Sequence, residues 1–345
     1  MTARPEQRGR LASSSTAASR SRRRLLAGAA ALLAGPITAY GQSAGGRAHR
    51  IGFLGSTSPK SHGTFVNEFR EGLRERGYVE GRDVVMEYRW AESDYTRLPG
   101  LAAELVRLKV DLILTHGTPG AHAAKAATRT IPIVSAISGD ADATGLVQSL
   151  RRPGGNLTGL TFSLPELNAK RIEMVKEAVP RLRRVAVLMN DTNTGNVVTF
   201  DAMKGTARTV GVEIVQILAR RPQDFDAAFG QIVRARGEAV SVYEDALFVA
   251  QAPSLAALAL RHQLPSVGFK EYADAGGLLG FGVSFPDVWR RAAGFVDRIF
   301  KGARPADLPM EQASKFDRVV NLRTARALGV TVQDGVLLRA DTVIE

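Results

Sequence analysis

No cysteine occurs anywhere in the 345-residue chain. That absence excludes disulfides, thiolate metal ligands, a cysteine nucleophile and a lipid-modified N-terminal cysteine, so export of this chain would yield an unanchored protein. Aromatic residues are scarce, at 6%, and do not cluster among the basic ones. Nucleic-acid binders gather Lys and Arg on one face or stripe, often with aromatics for stacking, so that class is set aside despite a formal charge of +12. Half of that charge comes from seven arginines and one acid within residues 1–41, and the rest is spread thinly. Signatures of enzymes are missing as well: there is no P-loop, no nucleophile elbow, no HExxH and no glycine fingerprint after a strand. The five histidines, at 49, 62, 116, 122 and 262, include no i, i+3 or i, i+4 pair, which argues against a helical metal site. Neither a metal nor a cofactor is expected. His116 ends a predicted strand, where hydrogen bonding in a loop outweighs a role as general base.

What is present begins with an ordered N-terminal segment. Residues 1–24 are rich in Arg, Ser and Ala and end in Ser21-Arg22-Arg23-Arg24-Leu25-Leu26. An apolar run from Leu25 to Ala39 follows, broken by Gly28, Gly35 and Pro36, too short for the about 20 residues of a membrane-spanning helix. Small residues at Ala39 and Gly41 complete the order of a secretory signal, with cleavage expected near Gly41/Gln42 and a periplasmic destination. The Ser-Arg-Arg-x-Leu-Leu string has the form of a twin-arginine signal, although an Arg-rich Sec signal has much the same composition.

From Arg50 onward, short apolar runs alternate with segments of helical period, the pattern of parallel sheets flanked by helices. The first set is strand 51–54, a helix carrying Val66, Phe69 and Leu73, strand 84–88, a helix carrying Leu98, Leu101, Leu105 and Leu108, strand 110–114, helix 121–127 and strand 131–137. Arg152-Pro153-Gly154-Gly155-Asn156 reads as a loop and 157–162 as an extended connector. A second set follows: helices 168–179, 197–210, 225–236 and 247–262 alternate with strands 185–189, 212–217, 239–242 and 266–269. Ala275-Gly276-Gly277 breaks the pattern before strand 278–281 and a helix with Val288, Ala292, Phe295 and Ile299 on one stripe. The chain should close on a strand near Val319-Val320 and a helix from Leu322 to Leu328, with Asn321 and Gly329 as its caps. The fold class is thus α/β, with two Rossmann-like lobes in tandem.

Open α/β sheets bind ligands beyond the carboxyl ends of their strands. In the first lobe those positions hold Ser56, Thr57, Ser58, Trp90, Gly117, Thr118 and Asp140; in the second they hold Asn190, Asp191, Asn193, Glu244, Asp245, Lys270 and Glu271. Any one of these residues would more ordinarily form a turn or cap a helix. Taken together they describe a ligand cleft. Hydroxyl residues and free N–H groups at helix starts, around Ser56 and Thr118, suit a carboxylate, and Glu244 or Asp245 suits an ammonium group. Trp90 either stacks on the body of the ligand or packs within its own lobe.

Several segments carry a family resemblance. They are Phe69-Arg70-Glu71-Gly72-Leu73-Arg74-Glu75-Arg76-Gly77-Tyr78-Val79-Glu80-Gly81, Glu87-Tyr88-Arg89-Trp90-Ala91-Glu92, Gly117-Thr118-Pro119, Arg152-Pro153-Gly154-Gly155-Asn156-Leu157-Thr158-Gly159 and Lys301-Gly302-Ala303-Arg304-Pro305-Ala306-Asp307-Leu308-Pro309. From about Arg50 to Glu345 the chain resembles the ABC-transporter substrate-binding proteins of the tryptophan-binding type. The resemblance implies a type I periplasmic-binding fold whose lobes are joined by three hinge crossings, near 157–162, 272–278 and 303–310. Beyond the signal peptide read at 1–41, it divides the chain into lobe one at 50–158 and 276–305, and lobe two at 159–275 and 306–345. It further implies a monomer that captures a small molecule, an amino acid or related carboxylate, and delivers it to an ABC permease, meeting the membrane only through that permease. Gly139-Asp140-Ala141-Asp142-Ala143 and Tyr243-Glu244-Asp245-Ala246 depart from the family's usual Asp-Pro loops, so tryptophan is not carried over as the ligand. Two alternatives stay open: an exported α/β enzyme, and a ligand-binding subunit of a membrane sensor.

Overall fold

A computed structural model describes residues 47–345. The signal segment expected at 1–41, with its cleavage point, lies outside the described residues. Two sheets organise the rest. The first is built from β1 (His49–Gly55), α1 (Pro59–Arg74), β2 (Val84–Trp90), α2 (Leu98–Arg107), β3 (Leu112–Thr115), α3 (Gly117–Ala127), β4 (Ile133–Gly139) and β5 (Leu157–Phe162). The second comprises α4 (Leu164–Ala178), β6 (Arg184–Met189), α5 (Thr194–Thr209), β7 (Glu213–Leu218), α6 (Phe225–Arg234), β8 (Ala239–Val242), α7 (Ala246–Ala250), α8 (Ala252–Arg261), β9 (Ser266–Gly268), α9 (Lys270–Asp274) and β10 (Leu279–Val283). The chain then runs through α10 (Phe285–Phe300), β11 (Glu311–Gln312), β12 (Phe316–Asn321), α11 (Leu322–Leu328), α12 (Asp334–Leu337) and β13 (Thr342–Ile344).

In the first sheet the strands lie in the order β2-β1-β3-β4-β5-β11, and in the second β7-β6-β8-β9-β10-β12-β13. All pairings are parallel except that of β10 with β12. Each lobe therefore repeats the doubly wound order 2-1-3-4-5, with its switch point between the first and third strands. Interior strands such as β3 and β8 are buried on both faces, which is why they read as short continuous apolar runs rather than alternating ones.

Three chain crossings join the lobes, at Ser163, at Ser284 and at Ala313–Lys315. They run side by side: the Ser284 amide donates to the Lys315 carbonyl (3.0 Å) and the Ala313 amide to the Thr161 carbonyl (2.8 Å). These positions correct three expectations. The third crossing, expected near 303–310, falls later because Glu311–Gln312 pair with β5 and keep that stretch on the first sheet. The 157–162 segment is not a connector but strand β5, paired in register with β4. At Gly159 the backbone has φ +134°, and a Cβ there would collide with the Ser135 carbonyl, so only glycine lets the two strands approach so closely. Strand 278–281 was expected to return to the first lobe with its helix, yet only the helix does so. As β10 it stays in the second sheet between β9 and β12, where Leu279 joins that lobe's core. The following helix, α10, buries Val288, Trp289, Ala292, Phe295 and Ile299 in the core beneath β1 and α1.

The helix expected over 247–262 is split at Gln251, where Pro253 opens the second segment at a position that tolerates its missing N–H. Asn321 and Gly329 cap α11 as the sequence suggests, the first accepting from the Thr324 amide (3.1 Å) and the second adopting φ +63°. Strands β11 and β13, two and three residues long, had no pattern long enough to read. Among the described residues, no helix is long and apolar enough to cross a membrane.

Candidate ligand-binding site

The carboxyl ends of the two sheets face each other across a narrow cavity of about 50 Å³, well below the roughly 300–1,000 Å³ of pockets that enclose a small molecule. The first lobe contributes His116, Gly117 and Thr118 after β3, Ile137, Ser138 and Gly139 at the end of β4, and Phe162 at the end of β5. The second contributes Asn193 after β6, and Glu244, Asp245, Ala246 and Val249 after β8. Helices α1 and α10 complete the wall with His62, Phe65, Phe285 and Trp289. Six aromatic or imidazole rings thus surround a space whose lining includes two carboxylates and neither lysine nor arginine.

Glu244 is held by Arg171, a side chain with no exposed surface that reaches up from α4. The guanidinium gives Nη2–H to Glu244 Oε2, Nε–H to the Phe281 carbonyl (2.7 Å) and Nη1–H to Asn168 Oδ1 (3.1 Å). Gly282 leaves room for the pair, because a Cβ there would stand 3.2 Å from Glu244 Oε1 and 3.3 Å from Arg171 Nη2. Burial raises the Glu244 pKa, and the guanidinium opposes that shift. The second carboxylate oxygen, Oε1, is buried and accepts no hydrogen bond within the protein. Most buried acceptors have a partner, so an orphan beside a cavity marks a place for a donor from outside.

Asp245 is differently placed. Its Oδ1 accepts from the Tyr95 hydroxyl (2.8 Å), the Leu247 amide (3.0 Å) and Asn190 Nδ2 (3.4 Å), and its Oδ2 accepts from Asn193 Nδ2 (2.9 Å). All four donors are neutral. Burial raises this carboxyl's pKa while the bonds from Asn193 and Tyr95 lower it. With Glu244 paired to Arg171, Asp245 is the acidic group of the lining that no cationic side chain there matches.

His62 and His116 stack at 4.6 Å between ring centroids, with Trp289 5.2 Å from His116 and Phe65 5.4 Å from His62. The Ser56 amide donates to His116 Nε2 (3.1 Å), so the neutral ring carries its proton on Nδ1. Burial lowers the His62 pKa to about 3, and burial together with the neighbouring His62 holds His116 well below its ordinary value. Both rings therefore act as neutral, flat walls. No side chain caps α3, leaving the first backbone N–H groups beyond His116 open beside the cavity.

Of the residues singled out in the sequence, Gly117, Thr118, Asn193, Glu244 and Asp245 line the cavity. The others lie elsewhere for identifiable reasons. Ser56 is buried behind the wall, its hydroxyl donating to the His116 carbonyl (3.0 Å), so it is not free to hold an anion. Thr57 bonds His62 Nδ1 (2.8 Å), and Ser58 caps α1 in a capping box with Ser61. Trp90 packs on Phe53 at 4.7 Å within its own lobe, which decides between its two expected roles. Asp140 sits in a tight turn at φ +32°, with its carbonyl accepting from the Thr144 hydroxyl (2.8 Å). Asn190 orients Thr192 and Asp245, while Asp191 pairs with Arg220 at the surface. Lys270 pairs with Asp274, and Glu271 lies behind the cavity with its pKa raised by burial to about 8. His62, Phe65, Phe162, Phe285 and Trp289 were not foreseen. Phe285 and Trp289 share the apolar stripe of α10, which reads as core, and nothing local marks their end of it as cavity wall.

The fold is that of the two-lobed type I periplasmic-binding class. The family model for "ABC transporter substrate binding protein" matches residues 56–344, and the chain belongs to that family. It is similar to a "Tyrosine-binding protein" of Clostridioides difficile (strain R20291), 26% identical over 261 residues that cover 75% of each chain. Among solved structures it resembles a conserved domain protein from Vibrio cholerae (TM-score 0.81, 24% identity, covering 86% of this chain and 100% of that one). It also resembles a Streptococcus ABC domain in complex with L-Trp (TM-score 0.80, 23% identity, 86% and 100%). A ligand-free, open substrate-binding protein with adhesive properties from Clostridium difficile matches at a TM-score of 0.62 (22% identity, 86% and 99%). The chain is thus the ligand-capturing component of an ABC transport system.

Proposed function

We propose that the interlobe cavity captures an amino acid with an aromatic or apolar side chain, and that the protein delivers it to a membrane permease. The observation that carries this reading is Glu244 Oε1, a buried acceptor without a partner on a residue of a lining that holds two carboxyl groups and no cationic side chain. An α-ammonium group supplies both the donor and the charge. The open N-terminus of α3, with Gly117 and Thr118, suits the carboxylate, and the rings of Phe65, Phe285 and Trp289 suit the body. The named ligands of two relatives, tyrosine and L-Trp, belong to this class.

On this reading lobe one spans 47–162 and 285–312, lobe two spans 164–283 and 316–345, and the three crossings form a hinge. Residues 1–41 direct export and are removed, and the mature monomer works outside the cytoplasmic membrane without catalysing a reaction. Mass spectrometry of small molecules released by denaturing the purified protein, followed by calorimetric titration of what is found, tests the proposal. Release of a compound lacking an amino group, or turnover of the released compound on re-addition, would overturn it.

A further inference from the structure

Tyr95 stands on the short 3-10 turn Tyr95–Arg97 between β2 and α2, on the first lobe. Its ring packs against apolar residues of both lobes. Its hydroxyl donates to Asp245 Oδ1 (2.8 Å) and accepts from the Leu247 amide (3.1 Å). Both capacities of one hydroxyl on the first lobe are therefore met at the start of α7 on the second. Tyr95 does not itself line the cavity, whereas Asp245 does. The other donors to Asp245, from Asn190, Asn193 and Leu247, belong to its own lobe and stay with it when the lobes part. The bond from Tyr95 is the one that parting breaks.

We propose that Tyr95 is an interlobe latch, a positioning residue that seats on the Asp245 carboxylate and holds the lobes closed over the cavity. The proposal deepens the hinged-binding reading and rests on it for the motion, but not for the ligand. Because protein groups alone make the latch, the ligand-free molecule populates the closed arrangement. The latch then sets how readily the cleft reopens. A phenol is well suited to the task, since it is rigid, long enough to span a cleft and able to donate and accept at once.

The test uses the ligand-free mature protein. As the chain has no cysteine, Arg129→Cys on the first lobe and Arg208→Cys on the second, both exposed positions, accept a donor and an acceptor dye without background. Single-molecule energy transfer should show open and closed populations, and Tyr95→Phe should lower the closed-to-open ratio about tenfold, equivalent to about 1.4 kcal/mol. Tyr88→Phe serves as the control. Its hydroxyl accepts from Arg70 (2.7 Å) within the first lobe, so its loss should leave the ratio unchanged. If Tyr95→Phe fails to fold, Asp245→Asn weakens the same bond from the other side and should shift the ratio in the same direction. A two-state parent whose ratio is unaltered by Tyr95→Phe overturns the latch alone. A parent with one unmoving state overturns the hinge, and the latch with it.

Discussion

Replacing Glu244 by Gln keeps the shape of the side chain and removes its charge. Two effects then have to be separated. Arg171, fully buried, loses its anionic partner but keeps the Phe281 carbonyl and Asn168, and the Gln amide oxygen is still able to accept its Nη2–H. The stability loss should therefore fall below the about 3–5 kcal/mol typical of a buried pair broken outright. The ammonium group of the proposed amino-acid ligand would have no such substitute. Removing one partner of a desolvated, hydrogen-bonded charge pair costs about 2–5 kcal/mol, a weakening of roughly thirty-fold to several thousand-fold. Calorimetric titration with L-tyrosine and with its deaminated analogue, 3-(4-hydroxyphenyl)propionate, isolates this contribution, because the analogue keeps the ring and the carboxylate. The parent protein should prefer the amino acid by at least thirty-fold, and Glu244→Gln should lose most of that preference while binding the analogue nearly as before. A variant that discriminates between the two as well as the parent would show that Oε1 does not receive the ammonium group, and would refute the reasoning.

Other expectations follow from the same geometry. Glu271 has a folded-state pKa of about 8 against an ordinary 4.5, so the fold binds its proton more tightly than the unfolded chain does, and stability is lost as pH rises between those values. Glu271→Gln should remove that slope and raise the melting temperature at pH 8. The opposite sign applies to His62, neutral in the fold down to about pH 3, which takes stability away as pH falls below 6.5. Gly159→Ala should destabilise the protein by more than about 3 kcal/mol in urea unfolding, since both φ and the Ser135 backbone oppose a side chain there. A ligand at a hundredfold excess over its Kd should stabilise the protein by about 2.7 kcal/mol, and small-angle scattering should show contraction as the lobes close. Intact-mass analysis of the exported protein should place its first residue at or near Gln42, and retention of residues 1–41 would contradict the export reading.

Much of the architecture was legible because the lobes are built from periodic units. Leu98, Leu101, Leu105 and Leu108 announce a helix whatever surrounds it, and the continuous apolar run at Val185–Met189 announces a buried parallel strand. Cavity residues on loops were legible for a related reason: Thr118, Asn193, Glu244 and Asp245 follow strands, and strand ends in a doubly wound sheet have a known location. Where each strand finds its partners was not legible. Strand β10 is apolar on both sides and would suit either sheet, and its pairing is decided by tertiary partners on both sides of it, Val267 and Val320 in the second lobe. For the same reason the aromatic wall was missed: on α10, Phe285, Trp289, Ala292 and Phe295 form one stripe, and only tertiary placement tells the end facing the cavity from the end facing the core. Ser56 and Glu271 failed oppositely, since both follow strands as expected but spend their polar groups, or their burial, behind the site.

Trp289 lies five residues beyond Ser284, on the helix that leaves the second sheet at that crossing and docks under the first. Pivot and cavity wall are therefore one continuous piece of chain, with about one turn of helix between them. On the proposed hinged reading, a change in the angle of the crossing at Ser284 would displace the indole relative to the second lobe, so the shape of the space offered to a ligand would depend on how far the jaws have travelled. Selectivity and mechanics would for this reason not be separately adjustable. A substitution that stiffens the pivot would be expected to narrow the set of accepted side chains without touching a single contact residue, and a relative with a different residue at Ser284 would be expected to sort ligands differently behind an identical aromatic box.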